Sequence, residues 1–353
     1  MTDKDFILVG QGLAGTLLAH FLKAAGKSIL IIDHPKGNAA SQVAAGIINP
    51  VTGRRFVKSW MIETLLPFAK STYQTIEKQL GIHIYHEKNI LRALANPKEE
   101  NDWLARATEP GYTAYLAENA EPGNYRSHLY PLYAFGETLG CAQVDLPLLI
   151  AAYRTAFKAN DEYVEEFFDH NALKADVDGI TYRQWKASGL IFCEGFGMKT
   201  NPLFKNLPMR GDKGQVLEVH IPEAGFEKMF KDQVFIVPKA GGQYWIGATY
   251  EPRFEDEHPT TAGRAFLQQQ LSACLQLPFE VMAHKAAIRP TVKDRRPLLG
   301  THPDFPRVHL FNGLGTKGTS LAPYWAQHMA DYLEGKLEID PQVAIGRFQG
   351  DFP

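Results

Sequence analysis

Gly10, Gly12 and Gly15 follow the apolar run Phe6–Val9 at the spacing G-x-G-x-x-G, and Asp33 closes a second apolar run, Ile29–Ile32. Between them Ala14, Leu17, Leu18, Phe21, Leu22 and Ala25 recur at helical intervals up to Gly26. Strand, glycine turn, helix, strand and terminal acid in this register are what a dinucleotide site needs. Gly10 permits the tight turn. Gly12 lets the backbone N–H groups at the start of the helix, where Leu13 and Ala14 stand, approach a pyrophosphate. Gly15 allows helix and strand to pack closely, and Asp33 accepts hydrogen bonds from a ribose.

The next segment, "ASQVAAGIINPVTG" over residues 40–53, is rich in small residues and lacks the second amphipathic helix usual in a nicotinamide-nucleotide unit. Its backbone can pass close to an extended ligand, with Ser41, Ala45 and Gly46 in reach. Far along the chain a second glycine turn contains Gly313, Leu314, Gly315, Thr316, Lys317, Gly318 and Thr319. It lies between the apolar run Val308–Phe311 and a pattern with Leu321, Trp325, His328, Met329, Tyr332 and Leu333 on one helix face. That helix start offers free N–H groups and partial positive charge to an anion such as a reduced flavin, and two roles fit Lys317: it strengthens that field, or it is a solvated surface lysine. Both chain ends are expected to grip one elongated cofactor.

Arg289 opens the stretch "RPTVKDRRPLLG". The region is not basic enough to read as a nucleic-acid patch. Two roles fit Arg289. Its planar fork of donors suits a substrate carboxylate, or it braces the loop through Asp294 or another acid. Arg295 and Arg296 read as surface or loop-anchoring residues. Arg54, Arg55 and Lys58, with Trp60, form a basic-aromatic cluster that reads as a solvated face.

The elements that position these residues belong to a chain of 353 residues, 45% apolar and 22% charged, which is ordinary globular composition. Its length calls for two lobes or a main domain with an insertion. A formal net charge of −2 argues against a nucleic-acid partner while leaving room for one local basic surface. Cys141, Cys193 and Cys274 are far apart, with no metal spacing, so no metal site is expected and a reducing cytoplasmic setting is. No segment reads as a leader or a membrane span, so no membrane partner is expected.

Several stretches together resemble the D-amino-acid oxidase superfamily of FAD proteins, most closely its glycine oxidase/sarcosine oxidase branch. They are "VGQGLAGTLLAHFL" at 9–22, "ASQVAAGIINP" at 40–50, "CEGFG" at 193–197, "MRGDKGQVLEV" at 209–219, "FIVPKAGGQYWIGATY" at 235–250, "AAIRPTVKDRRPLLG" at 286–300 and "NGLGTKGTSLAP" at 312–323. The resemblance implies an α/β plus α+β fold, with a Rossmann-like FAD-binding domain and a discontinuous antiparallel-sheet substrate domain. The expected division is 1–80, 140–215 and 285–353 for the first, 81–139 and 216–284 for the second. It adds Gly195 to the cofactor residues and implies that Arg289 pairs with a substrate carboxylate. FAD is expected to be non-covalent, since no cysteine follows Cys274.

Two positions depart from the glycine oxidase pattern. Phe235 stands where those enzymes carry tyrosine, and Tyr250 where they carry methionine, which puts glycine itself in doubt as the substrate. The implied activity is FAD-dependent oxidation of a carboxylate-bearing primary or secondary amine, with molecular oxygen or another acceptor taking the electrons. The turns at 44–55 and 312–323 are also similar to the oxidase half of a bifunctional enzyme acting on a carboxymethylamino group of modified tRNA. A flavin-binding subunit without its own turnover is the alternative from another class.

Overall fold

The structure, a computed structural model, describes residues 2–35 and 37–351. In chain order the elements that build the site are β1 (Thr2–Val9), α1 (Leu13–Ala24), β2 (Ile29–Asp33), α2 (Ile62–Leu80) and β3 (Ile90–Leu94). There follow β4 (Trp185–Phe192), β5 (Asp212–His220), β6 (Met229–Lys231), β7 (Phe235–Pro238) and β8 (Gln243–Gly247). The last are α3 (Thr261–Cys274), β9 (Glu280–Arg289), β10 (Val308–Asn312) and α4 (Gly318–Leu333).

Strands β2, β1, β4 and β10 lie side by side in parallel within an eight-stranded sheet, so the first and last strands of the chain flank the same neighbour, β4. Their apolar runs are continuous because both faces are covered. Leu8, Ile29 and Ile31 point into one core with Leu17, Leu18, Trp325 and Met329. Ile7, Leu30 and Ile32 point into another with Phe192, Phe204 and Leu310. Helix α1 stops where Gly26 adopts φ +77°, a left-handed turn that lets its N–H reach the Lys23 carbonyl at 2.9 Å.

The second eight-stranded sheet is mostly antiparallel and runs β9-β5-β8-β7-β6-β3, followed by Ala134–Thr138 and Leu116–Ala117. One face packs Leu217, Val219, Ile236 and Ile246 against Leu267 and Leu271 of α3. The other face packs Val216, Val237, Trp245 and Ala287 on Val43 and its neighbours. The expected division at 215/216 and 284/285 cuts both β5 and β9 in mid-strand. Their ladder is continuous from Asp212↔Arg289 to His220↔Glu280 apart from one bulge at Glu218/Val219. Arg289 therefore belongs to the antiparallel sheet and not to the nucleotide-binding part. Backbone pairing carries the strands across a boundary that composition does not mark.

Trp245 fastens the two parts together. Its Nε1 donates to the Val43 carbonyl at 2.8 Å across a buried contact. Trp245→Phe keeps the ring packing and orphans that carbonyl, so unfolding free energy in urea titrations should fall by about 1–3 kcal/mol.

Candidate active site

The first glycine turn is closed on one side and open on the other. A Cβ at Gly15 would lie 2.0 Å from the Gly10 carbonyl, and one at Gly10 would meet the Cys193 carbonyl at 2.8 Å. Gly10 also holds φ +98°. Among the described residues a Cβ at Gly12 would meet only Ser41 Oγ, at 3.5 Å. Helix α1 begins here with no side-chain cap and no acid in its first turn, so its free N–H groups and positive end face that opening. This is a cradle of the size and sign for a pyrophosphate. Leu13 and Ala14 are themselves buried against the core, leaving backbone as what they present.

Asp33, at the end of β2, is aimed by three donors: Gln11 N at 3.0 Å, the Tyr163 hydroxyl at 3.1 Å and Arg154 at 3.3 Å. Arg154 also donates to the Gln11 side chain at 2.7 Å. Gln11, Arg154 and Tyr163 were not singled out from the sequence. Gln11 sits inside the glycine motif and offered that signal; the other two arrive from distant elements and offered none.

The segment after β2 approaches the same opening. Ser41 and Val43 belong to a short helix, Ala40–Val43, and Ala45 packs in the Val43–Trp245 cluster. Gly46 at φ +70° brings its backbone so close to Val144 that a Cβ would fall 1.8 Å from that carbonyl. Gly195, at φ +58°, follows β4, and its carbonyl accepts from Asn312 Nδ2 at 3.0 Å. The turns after β1, β4 and β10 therefore meet.

In the carboxyl-terminal turn Gly313 and Gly315 have φ of +74° and +58°. Gly318 lies near Leu13 of α1. The N–H of Gly315 donates to the Pro290 carbonyl at 3.1 Å, which ties this turn to the end of β9. Thr316 is exposed, and the carbonyl of buried Thr319 accepts from the Tyr73 hydroxyl at 2.8 Å. Lys317 is half-buried, and its Nζ donates to Ser59 Oγ at 2.9 Å and Thr52 Oγ1 at 3.3 Å. Burial, then the nearness of Arg295 and Arg296, pushes its ammonium below the ordinary lysine range. It anchors the 52–59 segment to the turn.

That segment forms the expected solvated face only in part. Arg54 and Arg55 are exposed, but Lys58 pairs with Glu63. Trp60 stacks on Trp325 at 5.6 Å, with the Arg296 guanidinium 3.9 Å from its ring. Aromatic packing on α4 draws Trp60 inward. Arg296 is thus a loop anchor, as read from the sequence.

Arg289 ends β9 with its guanidinium lying over Gly214, where a Cβ would come within 2.1 Å of Nη2. Its hydrogen bonds are two long ones to the Thr249 carbonyl, at 3.4 and 3.5 Å. Among the described residues no acid lies within 4 Å of it. Asp294, the alternative partner, pairs instead with Arg347 at 2.9 Å. Burial pushes the Arg289 pKa down, opposed by Asp212, Tyr250 and Glu251. Asp212 is the cross-strand neighbour of Arg289 and is 5% exposed. It accepts a hydrogen bond from the Tyr250 hydroxyl, which raises that phenol's pKa. Tyr250 is 60% exposed and does not pack into the sheet, so it rims the site beside Arg289. Asp212 and Thr249 were invisible in the sequence because the ladder register brings them there.

Comparison with known proteins agrees with this geometry. A family model described as FAD dependent oxidoreductase matches residues 5–332. The chain is 26% identical, over 98% of its length, to the bifunctional protein ThiO/ThiG of Trichormus variabilis. It is 24% identical, over 93% of its length, to the tRNA 5-methylaminomethyl-2-thiouridine biosynthesis bifunctional protein MnmC of Marinobacter nauticus. It covers 55% of each, so the chain spans about half the length of these curated relatives. Its fold matches glycine oxidase from Geobacillus kaustophilus with a TM-score of 0.77 at 22% identity, over 96% of both chains. The glycine cradle, the uncapped helix start and the acid at the end of β2 fit FAD. The chain belongs to the family of FAD-dependent oxidoreductases.

Proposed function

We propose that this protein oxidises a primary or secondary amine bearing a carboxylate, of amino-acid or N-substituted glycine type. The observation that carries the reading is Arg289: a half-buried guanidinium with unused donors, no acid within 4 Å among the described residues, and a glycine beneath it. A partly desolvated cation without an ion-pair partner is costly, and a carboxylate offers two parallel charge-assisted bonds. The end of β9 is joined to the carboxyl-terminal glycine turn through Gly315 and Pro290, which supports a role for Arg289 near the cofactor turn.

FAD held by the glycine turn at Gly10, Gly12 and Gly15 and by Asp33 would supply the two-electron acceptor that oxidation at the substrate's Cα needs. The chain's own part is positional. Arg289 fixes the carboxylate and with it the direction of the Cα–H bond. As the hydride leaves, the nitrogen lone pair closes a C=N bond and the amine proton passes to water; the imine then hydrolyses. Phe235 and Trp245, on the same sheet face, shield the amine from bulk solvent.

The test is anaerobic mixing of the yellow protein with an amine panel, following bleaching of the visible flavin band. Carboxylate-bearing amines should bleach it and their amides should not. Bleaching regardless of the carboxylate sinks the assignment of Arg289. Bleaching by no member favours a flavin-binding subunit without turnover. Gly214→Ala, which drives a methyl into the guanidinium, should raise KM for the active amine about tenfold while leaving flavin bound. A carboxymethylamino group on modified tRNA belongs to the same amine class, and the likeness to the MnmC protein supports that reading; a salt-sensitive gel shift with tRNA tests it.

A further inference from the structure

Arg289 is not the only cation on its face of the sheet. Side chains alternate along a strand and cross-strand partners share a face. Asp212, Gly214 and Val216 therefore point the same way as Arg289. From Val216 the row continues through Gly247, Phe235 and Lys231 to Arg92, each the ladder partner of the one before. Lys231 and Arg92 are thus two cations directly opposite each other, an arrangement that is destabilising when nothing intervenes.

Neither has an acid within 4 Å among the described residues. Lys231 Nζ donates to the carbonyls of Asp232 and Gln233 and sits 5.1 Å from the Phe235 ring. Arg92 donates to the Gly53 carbonyl at 3.0 Å and lies 4.7 Å from the Phe56 ring. Both side chains are half-buried, so each is desolvated in part and still reachable. Burial, then Arg92, pushes the Lys231 ammonium down to about 8. The nearest acids acting on the pair are Asp232 and Glu99, through charge alone.

We propose that Lys231 and Arg92 form an anion subsite for a second acidic group, a carboxylate or a phosphate, on the amine whose first carboxylate Arg289 holds. The inference rests on the reading of Arg289 given above. The Arg289 guanidinium lies over β5 and Lys231 Nζ close to the Phe235 ring of β7, two strand spacings away. At ~4.8 Å per strand step, and with Gly214 two residues of ~3.4 Å from the row of Phe235, the two cations are about 12 Å apart. A substrate spanning them carries its distal anion several bonds beyond the amine, with Phe235 and Trp245 beneath the connecting chain. Where glycine oxidases carry a tyrosine, Phe235 offers an apolar floor to such a chain and a ring face to Lys231.

The test uses the flavin-loaded protein and N-substituted glycines with linkers of three to five methylenes, ended by methyl, carboxylate or phosphonate. The anion-ended amines should exceed the methyl-ended one in kcat/KM about tenfold or more. Carboxylate against phosphonate identifies the preferred group. Lys231→Met and Arg92→Gln should each lower that ratio at least about fivefold, and Arg92→Lys should restore part of it. Calorimetric binding of heptanedioate, strong in the parent and weakened in Lys231→Met, gives a readout apart from turnover.

Equal use of all three end groups by the parent, or a preference untouched in both variants, overturns the anion subsite and leaves Arg289 standing. Failure of every glycine derivative to bleach the flavin removes the Arg289 reading itself. Tight tRNA binding lost in the same variants, with no preference among small amines, replaces the small substrate by a nucleic acid.

Discussion

Arg289→Ala raises KM for a carboxylate-bearing amine by about ten- to a hundredfold while FAD stays bound. The range follows from a charge-assisted pair contributing about 1.5–3 kcal/mol, each 1.4 kcal/mol being tenfold. Two features make the effect local. Among the described residues the guanidinium makes no ion pair within 4 Å, and its hydrogen bonds to Thr249 are long. Its removal therefore unties little except the substrate. The informative comparison is a cycle between enzyme and substrate. The parent should prefer the carboxylate over its carboxamide, and Arg289→Ala should erase that preference. Arg289→Lys keeps charge but not the planar fork, and Gly214 leaves space for it, so it should fall between the two. Equal losses for carboxylate and carboxamide mean that Arg289 supports the sheet and does not touch substrate.

The cofactor half of this site was legible because each residue's role is set by backbone within a few positions. Gly10, Gly12 and Gly15 sit on one turn, and Asp33 ends the next strand; their spacing alone predicts how they meet. The second glycine turn was legible for the same reason, although its adjacency to the first depends on β1 and β10 both pairing with β4. The proposed substrate half was legible only at Arg289. Asp212, Thr249, Lys231 and Arg92 reach that face through ladder registers spanning long sequence separations, and no local pattern encodes such registers. Trp60 shows the same limit from another side. Beside Arg54, Arg55 and Lys58 it reads as surface, yet Trp325, more than two hundred residues on, makes it an interior stacking partner. The division into lobes went astray at β5 and β9 because one strand can serve the sheet while its end serves the cofactor turn.

Gly15→Ala and Gly12→Ala separate two ways of losing FAD. A methyl at Gly15 would stand 2.0 Å from the Gly10 carbonyl and 3.4 Å from Cys193 Cβ. The first obstacle is backbone, held by the hydrogen bond from Gly10 N to the Ile32 carbonyl at 2.9 Å, so helix α1 must move off the sheet. Overpacking of this kind costs about 1–3 kcal/mol, and the expected result is a Tm several degrees lower in the flavin-free protein. Displacing α1 also withdraws its N–H groups, so FAD retained per chain should fall about tenfold or more. At Gly12 the same methyl meets nothing nearer than Ser41 Oγ at 3.5 Å, an ordinary contact. The flavin-free Tm should stay within about a degree of the parent, since no buried contact changes. The methyl nevertheless projects into the opening where a pyrophosphate must lie against the helix start, so FAD affinity should still fall about tenfold, measured by fluorescence quenching on titration. Gly26→Ala serves as control: its Cβ meets nothing within 4 Å, and only left-handed strain of about 1 kcal/mol is added, far from the cradle. Unchanged FAD affinity in Gly12→Ala would move the pyrophosphate away from this turn, and with it the alignment that sets the amine between the cofactor and Arg289.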